Sequence, residues 1–156
     1  MNKRLLVAGP LVVVAALSLG FIPTACTPHA RDNAPVQPAR TVDAGAVDAQ
    51  IEHAYQNRLT HHQLSGTGTV TKLLKDDNQG RRHQRFIIRV ASGRTLLVSH
   101  NIDLAKRIER LGVGDAVSFY GEYEWNAKGG VIHWTHHDPE GRHPAGWIKH
   151  RERVYQ

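Results

Sequence analysis

Residues 115–135 read "DAVSFYGEYEWNAKGGVIHWT", and no other stretch restricts the fold as much. Val117, Phe119, Tyr123 and Trp125 fall on one face of a period-two pattern, with Ser118, Tyr120, Glu122 and Glu124 on the other, as in a strand with one buried side. The tetrad "NAKG" turns the chain back into a second strand over residues 130–135. Pairing Trp125 with Gly130 sets Tyr123 against Ile132 and Gly121 against Trp134 on the apolar face. It also sets Glu122 against His133 and Tyr120 against Thr135 on the polar one. Such a hairpin has to bury its apolar face, so the chain is expected to be built on packed strands.

Three more strand signals precede it. Residues 67–74 are rich in Thr and Leu and stop at "KDDNQG"; residues 85–90 alternate Phe86, Ile88 and Val90 with Arg85 and Arg89; Ser92-Gly93 then turns the chain into residues 95–100. Asp103 as a cap, Leu104, Ile108 and Leu111 on one face and Gly112 as a stop predict a helix before the hairpin. Upstream, Val47, Ile51, Ala54, Tyr55 and Leu59 recur at helical spacing and predict an amphipathic helix over residues 46–61, within a helical segment of residues 46–63. The expected fold class is mainly β, a small five-stranded OB-like barrel (β-β-β-α-β-β) preceded by one amphipathic helix. The segment "LGVGDAVSFYGEYEW" resembles the loop and fourth strand of many OB domains, and the resemblance in element order covers residues 64–137. It implies ligand binding on strands two and three and their loops, although a fold does not by itself assign a function.

The N-terminal 25 residues read as an export signal, with Lys3 and Arg4 before the apolar residues 5–22. Cys26 is the one cysteine in the chain, which excludes an intramolecular disulfide. Thr24-Ala25-Cys26 resembles the end of a bacterial lipoprotein processing box, with Pro23 where leucine is usual. Lipid attachment at Cys26 and simple cleavage both stay open, and either implies an exported protein, periplasmic or extracellular, with membrane attachment in the first case. Residues 26–45, with Pro28, Pro35 and Pro38 and no apolar period, read as a flexible tether to the barrel and C-terminal tail of residues 64–156.

Four segments in order, "HQRFIIRV", "HNIDLAKRI", "GEYEWNAKGGVIHWTHHDP" and "GRHPAGWI", are similar to a family of small exported bacterial proteins with an OB-like barrel. That resemblance implies export and a compact barrel, and it carries over no catalytic residue.

The residues themselves support three kinds of function. The chain carries 20 Lys and Arg against 14 Asp and Glu, and Arg81, Arg82, Arg85, Arg89 and Arg94 gather around strands two and three. With Tyr120 and Arg142 they suggest a binding module for an anionic polymer, nucleic acid or acidic glycan, which is the leading expectation. The run "IHWTHHDPEGRH" suggests the second: His133, His137 and His143 as ligands for zinc or another divalent metal, with Glu122 or Asp138 nearby, and Glu122 and His133 as the acid-base pair of a metal-dependent, nuclease-like hydrolase. Asp138-Pro139-Glu140-Gly141 also suits a plain type I turn that brings His143 back. His61 and His62 read as a solvated helix end. The third is a structural or partner-binding envelope protein.

Overall fold

The computed structural model describes residues 44–156. Residues 1–43, where an export signal, Cys26 and most of a tether are expected, lie outside the described residues. Among the described residues, no helix is long and apolar enough to cross a membrane.

The chain enters through α1 (Ala44–Gln56) and continues into β1 (His62–Leu73), β2 (His83–Arg89), β3 (Thr95–Asn101), β4 (Ala116–Glu124) and β5 (Val131–His133). Strands pair in the order β1, β2, β3, β5, β4, and β4 returns to β1, so five strands close a barrel as expected. All pairs are antiparallel except β3 with β5. A bulge in β1 between Val70 and Lys72 shifts its register against β2. Phe86, Ile88, Leu96, Val98, Phe119, Tyr123 and Ile132 fill the interior, the apolar positions of the alternating runs. α1 joins this core through Ile51 and Ala54, both fully buried. Gly66 makes the close approach possible, because a Cβ there would stand 2.6 Å from the Phe119 ring and 3.2 Å from Ile51.

The β4–β5 register is the expected one, with Glu122 opposite His133 and Tyr123 opposite Ile132. It stops at His133. Trp134 adopts a left-handed backbone (φ 49°), so Thr135 rather than Trp134 packs against Gly121 and is buried. Tyr120 consequently pairs with Trp147 of β6 (Trp147–His150), and not with Thr135.

Two other expectations are corrected, and the tail adds two strands. The helix expected after Asp103 is replaced by turns, because polar side chains capture the backbone groups it needs. Gln84 donates to the Ile108 carbonyl at 3.1 Å and accepts from its amide at 2.8 Å, while Asp103 accepts from the Arg82 amide and guanidinium, both at 2.7 Å. The first helix ends at Gln56, short of residue 61, since Arg58 (φ 51°) and His61 (φ 52°) turn the chain into β1. The C-terminal tail is structured: β6 pairs with the first half of β4, and β7 (Arg153–Tyr155) pairs with β6.

Candidate metal centre

β4 alternates in burial up to Gly121 and then buries Gly121, Glu122 and Tyr123 in succession. Glu122 is the anomaly, a carboxylate with only 10% of its side chain exposed. A buried carboxylate needs partners, and three histidines from separate segments supply them. His133 lies directly across the β4–β5 pair, with Nε2 3.2 Å from Glu122 Oε1. His61, in the turn before β1, places Nδ1 3.1 Å from the same oxygen and 2.9 Å from Glu124 Oε1. His143 returns from the loop after β5 and places Nε2 2.6 Å from the other oxygen, Oε2.

The return of His143 is built by Asp138. Its carboxylate accepts from the backbone amides of Glu140, Arg142 and His143 at 3.1, 2.8 and 2.9 Å, and the Gly141 amide closes the turn onto the Asp138 carbonyl at 3.1 Å. The His143 ring stacks on Trp134 (centroids 4.0 Å apart, planes at 10°), and its Nδ1 faces the Pro144 carbonyl at 2.9 Å. Both of its nitrogens therefore face oxygen atoms.

Electrostatics at the centre are set by this packing. Burial alone would raise the Glu122 pKa, but hydrogen bonds from His143 and His61 and the charges of His133 and His143 hold it below the ordinary carboxylate value. His61 is raised, first by its hydrogen bond to Glu122 and then by the Glu124 charge. Burial lowers His133 against the opposing pull of Glu122 and Glu124. Its Nε2 is buried without an aligned hydrogen-bond partner, and so is the amide nitrogen of Gln63, which stands opposite Glu122 on the β1 side.

His61 Nδ1, Glu122 Oε1 and Glu124 Oε1 lie within 4.8 Å of one another, a geometry that can hold a metal ion. His133 Nε2 is 3.8 Å from Glu124 Oε1. Atoms about 2.0–2.1 Å from a tetrahedral zinc stand roughly 3.3 Å apart, and His61 Nδ1 stands 3.1 and 2.9 Å from the Glu122 and Glu124 oxygens, close enough for one ion to reach all three with a small outward shift. The donor set of imidazole and carboxylate suits zinc. Thr60 Oγ donates to the other Glu124 oxygen and fixes that carboxylate from behind.

The remaining candidates lie elsewhere. His137 is exposed and apart from the cluster, whereas His136 is buried with Nδ1 on the His137 carbonyl at 2.8 Å. His61 and Glu124 are the members that the sequence did not single out, Glu124 having been placed only on the polar face of its strand; His61 is the harder to find. It sits 61 residues before Glu122, and only the β1–β4 pairing, with His62 opposite Tyr123, joins them. Of the arginines, Arg82 is bound to Asp103, Arg85 to the Lys75 carbonyl and Asp77, and Arg94 to Glu52 while lying over the Tyr55 ring. Arg89 lines a groove with Thr67, Thr69 and Thr71. Arg81 and Arg142 line a separate cleft of 360 Å³ with Leu104, Trp134, Asp138 and His143. Tyr120 lies beside Trp147, centroids 6.5 Å apart.

No curated protein matches the chain. Over residues 37–156, which include the whole barrel and the centre at Glu122, the chain belongs to the family described as Protein of unknown function (DUF3465).

Proposed function

We propose that the protein is an exported metal-dependent hydrolase whose centre is held by His61, Glu122 and Glu124, with His133 beside it. The observation that carries this is the convergence of those donor atoms at separations a single zinc ion would bridge, next to a His133 nitrogen that lacks an aligned partner. Three protein ligands with solvent on the side of His61, whose side chain is 77% exposed, match the open coordination of catalytic zinc rather than a closed structural site. A zinc held there by His61, Glu122 and Glu124 would supply Lewis acidity and an activated water. His133, with its Nε2 3.2 Å from Glu122 Oε1, would serve as the general base beside such an ion, and Glu122 Oε2, bound to His143, is kept from rotating.

The arginine face of β2 and β3 is the weaker basis for a function, since Arg82, Arg85 and Arg94 are neutralised within the molecule. The test is metal content and zinc titration of the purified protein. The reading expects one zinc per chain, with affinity falling by about tenfold or more in Glu122→Gln and in His61→Ala while the fold persists by circular dichroism. A wild-type protein that takes up no zinc at micromolar concentration would refute it.

A further inference from the structure

We infer that the 360 Å³ cleft beside the centre is a site for the phosphate group of a small phosphomonoester. The inference deepens the hydrolase reading and rests on it for its catalytic meaning, although the anion site stands on its own side chains. The volume is at the lower end of the range for small-molecule pockets, suiting a small ligand better than a polymer groove.

The walls hold two guanidinium groups beside the carboxylates of Asp138 and Glu140, and each carboxylate is engaged within its own loop. Arg81 is exposed and has no ion-pair partner among the described residues, so its five donors face the cleft and solvent. Arg142 pairs only with Glu140 of the same loop, and both side chains are more than half exposed, so that contact exchanges readily with a ligand. The Asp138 carboxylate is already filled by three backbone amides. Two guanidinium forks on one small cleft match the oxygens of a phosphate dianion, which each can grip bidentately.

The position of the cleft ties it to the centre. His143 forms part of its wall and at the same time touches Glu122 at 2.6 Å, so one imidazole ring separates a bound phosphate from the proposed metal ligands. Trp134, stacked on that ring, holds the partition rigid. A phosphate seated between Arg81 and Arg142 thereby lies beside the centre, on the His143 side of Glu122.

The experiment is calorimetric titration of the full chain with inorganic phosphate, zinc-loaded and zinc-free, with zinc content measured on each sample. One phosphate per chain is expected, weakened about tenfold or more in Arg81→Ala and in Arg142→Ala with zinc content unchanged. Arg81→Lys should recover only part of the loss, since it keeps the charge and not the fork. Zinc-loaded protein that binds no phosphate, or variants that bind it as tightly as wild type, would overturn the site. Arginine-dependent phosphate binding by a protein that takes up no zinc would support the site and remove the hydrolase reading. A short single-stranded oligonucleotide, which offers diesters, should compete poorly; competition at or below the phosphate concentration would overturn the monoester assignment.

Discussion

His100 shows how one side chain can make this barrel sensitive to acid. It is fully buried, its Nε2 facing the Lys106 carbonyl at 3.1 Å and its Nδ1 facing Thr135 Oγ at 2.8 Å. The neutral ring satisfies both contacts, donating from Nε2 and accepting at Nδ1. Burial pushes its pKa from 6.5 down to about 4. The unfolded chain takes up this proton near 6.5 and the folded one only near 4, so its contribution is complete above 6.5 and is lost as pH falls between those values. That difference corresponds to roughly 3 kcal/mol. His133 and His136, also lowered first by burial, act in the same direction. Urea denaturation at pH 7 and about pH 4.5 should show the wild type losing more stability than His100→Asn, by about 2 kcal/mol. Equal losses would remove His100 as the cause. The candidate site was only partly legible at this scale. Strand parity put His133 beside Glu122, and the Asp138 turn brought back His143. His61 carries no such signal, since neither period nor turn chemistry around it points to a carboxylate a strand pairing away.

Among the elements, the segment between β3 and β4 shows why a good local pattern can still lose. Its apolar spacing was read correctly in part, for Ile108 is buried, yet the helix that spacing implies does not form. Gln84 on β2 is buried and needs both a donor and an acceptor, and the Ile108 peptide groups supply them. A helix would use those same groups internally, so the tertiary demand of one amide outweighs the local propensity. The strands, by contrast, were legible because burial on one face imposes period two directly. Replacing Gln84 by Leu strands the Ile108 amide and carbonyl, and should cost about 2 kcal/mol in urea denaturation. Hydrogen exchange at the Ile108 amide should accelerate in the variant. An unchanged midpoint with unchanged exchange would show that these bonds do not hold the segment.

For the whole molecule, the C-terminal residues join the barrel to the candidate site. Ile148 is fully buried and Tyr155 nearly so, within the same core as Phe119 and Tyr123. β6 also covers the edge of β4 from Val117 to Tyr120, which would otherwise expose unpaired backbone groups. The loop carrying His143 is tied at its far end by Gly146, whose amide donates to the His136 carbonyl at 3.0 Å. A Cβ at Gly146 would stand 1.9 Å from the Trp134 carbonyl oxygen, so only glycine lets the loop close this tightly before β6 begins. Burying two large side chains contributes about 3–6 kcal/mol, a large share of the stability of a small domain. Ile148→Ala should therefore lower the urea midpoint with an unchanged slope, at a cost of about 2–5 kcal/mol. Deleting residues 147–156 should abolish the cooperative transition. Gly146→Ala gives the finer test, because its Cβ strains the loop and the first residue pair of β6 while the rest of β6 keeps its partners: it should weaken zinc and phosphate binding together while keeping most of the barrel's secondary structure. If the deletion unfolds cooperatively at the wild-type midpoint, β6 and β7 are appendages to the barrel; if Gly146→Ala binds both ligands as wild type does, the loop positions His143 without this tie.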